Sequence, residues 1–326
     1  MRKIIAPLLI AGLLFFIISN VSSTFASPGY HYSVFTPNGV SYELELSFYS
    51  EEKNLTTSQI IESQQIILSM NFSLSSKRMD LNHMAWGMTI SINLELYVNG
   101  TLRESESRSL PMPPLFAIRE GTRKIYLTTF LVSLLRQGME SVNISEITSN
   151  LAANRPYPGF YIYNPFYTPL DVAENDEIPY GYWNETANEG VIINGTVARS
   201  TTLSILGEEI NTWVVEIRRA ELLNMLSMLI GEVEIPEDAD ISMAFYYEKN
   251  TGWLVQGELE GEYTHIEGDT ERTMEVGGSL YITNFGSIAI GGKSYLNRVL
   301  GLPQYTIEVL DIILIIGIII IHIRRR

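Results

Sequence analysis

Ala244-Phe245-Tyr246-Tyr247-Glu248-Lys249-Asn250-Thr251-Gly252-Trp253-Leu254-Val255 reads as two strands joined by a tight turn. Asn250-Thr251-Gly252 supplies the turn, with Gly252 where the backbone needs a positive φ, and the flanking aromatic and branched residues suit a pleated, half-buried surface. Beyond the turn, Trp253, Val255, Leu259 and Tyr263 share one face while Gln256, Glu258, Glu260 and Glu262 share the other. That period of two marks a strand with one side on a core and one in water.

The same habit runs through most of the chain. Behind Pro37-Asn38-Gly39 and a short run over 32–35, Tyr42, Leu44, Leu46 and Phe48 alternate with Ser41, Glu43, Glu45 and Ser47. Further runs cover 66–74, 88–98, 102–107, 191–193, 196–205 and 210–217. Asn99-Gly100 and Asn194-Gly195 each lie between extended runs and read as two-residue hairpin turns. The expectation is a large antiparallel sheet built from hairpins. Helical periodicity is confined to three places. Leu127, Leu131, Leu134 and Leu135 form a stripe ended by Gly138; Asn143 or Ser145 caps a short helix carrying Ile147 and Leu151; Leu222, Met225, Leu226 and Leu229 form a third stripe closed by Gly231. Each reads as a helix packed on the sheet, with a partner-binding helix as the alternative.

Both ends of the chain are apolar. Met1, Arg2 and Lys3 precede an apolar run over 4–18 and then small and polar residues through Ser27, the layout of a secretory signal peptide over 1–27. At the other end an apolar run over 309–323, interrupted by Asp311 and His322, is followed by Arg324-Arg325-Arg326. Extended back to Tyr305 it reaches about the 20 residues a span needs, with Glu308 and Asp311 in its outer third. The reading is a transmembrane anchor over 304–323 and a cytoplasmic basic tail over 324–326, which leaves an extracellular β-rich domain over 28–303. Leu302-Pro303-Gln304-Tyr305-Thr306 resembles a sortase signal, but its Thr is displaced by one position and the Gly is missing.

The chain has 22 basic and 37 acidic residues, a net charge of −15, and no cysteine. Nucleic acid is therefore not an expected partner, because phosphate binding needs a basic patch. An exported domain without cysteine is held by its core alone, for which this length is ample. Asn-X-Ser/Thr sequons at Asn54, Asn71, Asn99, Asn143, Asn184 and Asn194 are candidate glycosylation sites.

Catalytic signatures are sparse. The sequence has no cysteine nucleophile, His-Glu-x-x-His pair, Gly-x-Ser-x-Gly elbow or phosphate loop. His31, His83 and His265 are scattered without ligand spacing. Ser50-Glu51-Glu52-Lys53 has the Ser-x-x-Lys spacing of some acyl-enzyme hydrolases, but sits in a polar stretch. The clusters Asp171-Glu174-Asp176-Glu177 and Glu234-Glu237-Asp238-Asp240 offer oxygens for calcium but lack EF-hand spacing, so a solvated loop is the simpler reading. No cofactor or metal is expected.

Tyr157, Phe160, Tyr161, Tyr163, Phe166, Tyr167, Tyr180, Tyr182 and Trp183 crowd into one stretch broken by Pro158, Pro165, Pro169 and Pro179. The prolines argue for an irregular loop. Its rings either stack on sugars or a partner protein, or pin the loop over the sheet.

Together with Leu206-Gly207-Glu208-Glu209-Ile210-Asn211-Thr212-Trp213-Val214-Val215, the opening hairpin resembles the Tyr-Tyr-Asp-Lys-x-Thr-Gly-x-Leu strands of archaeal membrane-anchored surface proteins of unknown function. More loosely it is similar to the hairpins of LolA-like lipoprotein carriers. The likeness covers about residues 176–285. It implies a curved sheet around a possible apolar hollow, but a hairpin does not transfer function. The fold class expected is thus mainly β (α+β): a large curved antiparallel sheet with a few packed helices and one C-terminal transmembrane helix. The activity expected is non-enzymatic, a binding or envelope-organising role at the cell surface, with a surface-layer or other envelope protein, a glycan or a lipid as partner. The alternative is an anchored LolA-like carrier holding a lipid or lipidated protein under Leu222, Met225, Leu226 and Leu229. An extracellular hydrolase stands third.

Overall fold

The computed structural model describes residues 39–78, 83–119, 123–128, 156–222, 240–286 and 288. They form β1 (Val40–Asn54), β2 (Ile60–Arg78), β3 (His83–Val98), β4 (Thr101–Arg119), β5 (Lys124–Thr128) and β6 (Pro156–Tyr163). The series continues with β7 (Glu177–Asn184), β8 (Glu189–Ile205), β9 (Glu208–Ile217), β10 (Asp240–Glu248), β11 (Leu254–Glu267) and β12 (Thr270–Phe285). Every strand pairs antiparallel with the next in sequence. β1 pairs with both β2 and β12, so the expected curved sheet closes on itself as a barrel.

Alternation explains which side faces in. In β1, Val40, Tyr42, Leu44 and Leu46 are buried, and their neighbours across β2 are Leu74, Phe72, Met70 and Leu68, also buried. Ser41, Glu43, Glu45 and Ser47 point outward between them. Strands of a membrane-spanning barrel show the reverse pattern, apolar toward lipid and polar within. Here burial of apolar side chains inside the ring is what drives closure.

The turns obey local chemistry. Asn99 (φ 51) and Gly100 (φ 70) join β3 to β4 as the paired left-handed residues of a two-residue hairpin, as the sequence predicts. Asn194-Gly195 is different: both residues lie inside β8. A Cβ on Gly195 would stand 2.5 Å from Val215 Cγ1 and 2.7 Å from the Tyr180 ring, so the glycine serves close packing of the interior instead of a turn.

Two other expectations change. The proline-rich aromatic stretch is strand at its two ends, since β6 begins at Pro156 and β7 contains Pro179, while residues 164–176 between them are irregular as expected. β7 tolerates Pro179 because β6 pairs only with Tyr182 to Asn184, leaving an open edge beside Pro179. Leu127, the first residue of the first predicted helix, is in β5. Leu131, Leu134, Leu135 and the second predicted helix lie outside the described residues. The third begins as a helical turn at Arg219, where the Leu222 amide donates to Arg218 O at 3.0 Å and Leu222 is buried; Met225, Leu226 and Leu229 lie outside the described residues. Among the described residues no helix is long and apolar enough to cross a membrane, and the predicted anchor lies beyond them.

The strands differ greatly in length. β1 to β4, β11 and β12 run 14 to 19 residues, whereas β5 has 5. The long ones extend past the packed ring, and inward positions turn polar there, to Ser50 and Glu52 in β1 and Gln64 and Glu62 in β2. The β1–β2, β3–β4 and β11–β12 hairpin tips form a rim at one end, where these polar positions stand beside exposed Leu55, Ile60, Ile61 and Ile266. Leu55 N donates to Asp269 O at 2.8 Å, and Asn99 N to Ser63 O at 2.8 Å, tying the three tips together.

Candidate functional site

The interior is filled by the chain itself. The segment between β6 and β7 turns inward, where the Leu254 amide donates to Phe166 O and the Thr168 amide to Gly252 O, each at 2.8 Å. Phe166 packs against Tyr42 at 5.4 Å and Trp86 at 6.1 Å between ring centres. Tyr167 meets Trp253 at 6.2 Å, and Trp253 stacks on Trp86 at 5.7 Å. Tyr180 stacks on Phe245 at 5.4 Å, and its hydroxyl shares a 3.0 Å hydrogen bond with that of Tyr247. Burial keeps the Tyr42 and Tyr180 phenols well above their ordinary range and pushes Tyr247 up to about 12. These hydroxyls are structural donors and acceptors.

Two buried polar residues lock this plug. Arg123 is 1% exposed and, among the described residues, pairs with no carboxylate; its guanidinium donates to Asn164 O at 2.8 Å, Tyr167 O at 2.8 Å and Pro179 O at 2.6 Å. It also lies over the Tyr180 ring at 5.1 Å. Three carbonyls from the inserted segment and β7 thus converge on one cation, which satisfies acceptors that would otherwise be buried without partners. Glu248 is buried at the end of β10, where it accepts from the Thr251 amide and hydroxyl, each at 2.6 Å, and from Asn250 Nδ2 at 2.7 Å. Gly252 has φ 72 and sits with its α-carbon against Thr168 O. The opening motif therefore makes a turn and also anchors the plug.

A pocket between Leu44, Phe166, Phe245, Leu259, Leu280 and the glycines 257 and 278 has a volume of about 20 Å³. A hollow for a drug-sized ligand has on the order of 300 to 1,000 Å³.

The predicted aromatic contact set divides between the two faces. Phe166, Tyr167, Tyr180 and Tyr182 pack inside. Tyr161, Tyr163 and Trp183 join Tyr126 in a small cluster on the outer face, with Lys124 Nζ 3.7 Å from the centre of the Tyr161 ring and 3.6 Å from Glu185. Tyr157 and Phe160 lie on β6. Of the sequons, Asn54 and Asn99 stand at the rim, Asn71 is exposed on the outer face of β2, and Asn184 ends β7. Asn194 donates through Nδ2 to Glu177 within β8. Asn143 lies outside the described residues.

Ser50 and Lys53 do not meet. They lie on β1 and face opposite sides, with Lys53 Nζ 3.7 Å from Glu271. Asp176 accepts from the Ala173 amide and Glu177 pairs with Arg218 at 2.8 Å, as in a solvated loop. Among the described residues no group of three or more His, Asp or Glu is arranged to hold a metal ion. His265 stacks on Tyr263 on β11, His83 starts β3, and His31 lies outside the described residues.

A second concavity, among the described residues, lies on the outside. A groove of about 570 Å³ crosses β10, β11, β12, β1 and β2, bordered by Ser47, Tyr49, Gln65, Asp240, Ser242, Glu260, Glu262 and Glu275. Asp240 is directly opposite Glu262, Glu262 opposite Glu275, and Glu275 opposite Tyr49. Cβ atoms of opposed residues are roughly 5 Å apart, so three carboxylates stand in one row. Gly277 forms part of the floor, with nothing within 4 Å of where a Cβ would be.

The described residues thus form an antiparallel barrel of twelve strands with an aromatic-rich core inside and a row of carboxylates outside. No family model and no curated protein matches the sequence. Among solved structures it is similar to a candidate lipoprotein from Parabacteroides distasonis ATCC 8503, with 7% identity and a TM-score of 0.21 over 74% of this chain and 95% of that one. It is also similar to a β-barrel-like protein of a domain family of unknown function from Brucella abortus, with 10% identity and a TM-score of 0.20 over 75% of this chain and 98% of that one. Likenesses this distant say nothing about function.

Proposed function

We propose that the protein is a non-enzymatic binding domain, held on the outer side of a cell membrane by a single C-terminal anchor over 304–323 and exported by a signal over 1–27. It engages an envelope partner with the exterior of its barrel. The observation that carries this reading is the plug: Phe166, Tyr167, Trp86 and Trp253 occupy the interior, while the large concavity is outside. The competing LolA-like carrier calls for an apolar hollow of several hundred Å³, against about 20 Å³ in the interior pocket beside Phe166. The acidic exterior suits a solvated, displayed domain. Sequons at Asn54 and Asn99 occupy hairpin tips, where a glycan fits without burial.

Topology is tested on intact cells. Added proteinase is expected to degrade the region 28–303 and spare a C-terminal fragment. A protected barrel together with an accessible epitope placed after Arg326 would contradict the orientation.

A further inference from the structure

We propose that the outer groove is a docking site for an extended Lys/Arg-rich segment of a partner protein. The inference rests on the exterior-binding reading above and names the chemistry of the partner.

Like charges directly opposite each other on neighbouring strands destabilise a sheet, and Asp240, Glu262 and Glu275 are opposed in sequence across β10, β11 and β12. Glu260, one outward position along β11, adds a fourth carboxylate to the same groove. Among the described residues that line it there is no lysine or arginine. Lys53 pairs with Glu271 toward the rim, and Arg199 pairs with Glu216 on the far side of β10. The carboxylates outside the groove are handled differently. Glu258 accepts from Tyr246 and Gln256, and Glu51 accepts from Tyr49. Among the described residues the groove thus keeps Asp240, Glu262 and Glu275 opposed with no cation in its lining, whereas Glu258 and Glu51 beside it are hydrogen-bonded within the fold.

Shape agrees with an extended chain. Five strands at the usual spacing make the groove roughly 19 Å across, the reach of about six extended residues. The bare floor at Gly277 admits close approach of a backbone, and the lining also holds Ser242 and the hydrogen-bonded pair Gln65 and Ser47. Cationic side chains crossing the row would relieve the opposition of Asp240, Glu262 and Glu275, so electrostatic complementarity sets both partner choice and encounter rate. Surface charge pairs are screened by salt, so the interaction weakens as ionic strength rises.

The test uses the full-length protein in uncharged detergent and a fluorescent lysine–glycine peptide, read by anisotropy at low ionic strength. Saturable binding is expected, and Glu262→Gln with Glu275→Gln should weaken it by ~10-fold or more. Glu174→Gln with Glu209→Gln, the same loss of charge on exposed positions elsewhere, should change it by less than ~2-fold. Equal weakening by the two double variants would overturn the site, because the peptide would be reading net charge alone. So would the absence of saturable binding, or calcium ions binding where the peptide does not. A lipid found inside the barrel would instead remove the exterior-binding reading itself, whereas a filled interior with no peptide binding would remove only the cationic partner.

Discussion

Replacing Arg123 by methionine is expected to lower the stability of the barrel by about 3 to 5 kcal/mol, because the carbonyls of Asn164, Tyr167 and Pro179 lose their donor while remaining buried. Methionine nearly matches the aliphatic length of arginine, so lost packing contributes little. Urea unfolding of the two proteins side by side measures the difference. Arg123→Lys should fall between them, since an ammonium keeps the charge but lacks the planar fork that reaches three carbonyls at once. Equal midpoints for wild type and Arg123→Met would mean that the inserted segment is not held from this point.

Gly252→Val is the second large effect. The residue has φ 72, where a β-branched side chain is strained by roughly 1 to 3 kcal/mol. A steric conflict adds to this. A Cβ there would stand 2.3 Å from Thr168 O, and that backbone is fixed by the hydrogen bond its N–H donates to Gly252 O. Relief requires separating the turn from the plug, so the loss should exceed the backbone strain alone. Gly100→Val provides the contrast: its φ is 70, but nothing lies within 4 Å of the added carbon, so only the strain remains. Thermal melting should rank wild type above Gly100→Val and Gly100→Val above Gly252→Val. Equal melting of the two variants would show that Thr168 does not bear on the turn.

The strands were legible because alternation is local. Tyr42, Leu44 and Leu46 against Ser41, Glu43 and Glu45 announce both the strand and its buried face, and Asn99-Gly100 announces its hairpin. Closure was not legible. It depends on β1 pairing with β12 across more than 200 residues of sequence, and no local pattern encodes that partner. Asn194-Gly195 misled for a related reason, since glycine serves tight turns and tight packing alike, and only the Tyr180 and Val215 side chains distinguish them. The prolines of the aromatic stretch suggested a loop, yet an open strand edge accommodates Pro179. Arg123 carried no signal at all, because three carbonyls brought together by tertiary structure make its site. The acidic groove was half legible. Glu258, Glu260 and Glu262 visibly share a face, but Glu262 meets Glu275 and Asp240 only through strand register.

The filled barrel is tested most directly by native mass spectrometry of the full-length protein extracted in mild detergent. The expected spectrum is that of the polypeptide with any attached glycans and no stoichiometric lipid, because Phe166, Tyr167 and Trp253 already occupy the interior. A lipid retained at one copy per chain, and lost when Phe245 on the wall of the interior pocket is replaced by a charged residue in a barrel that still folds, would contradict it.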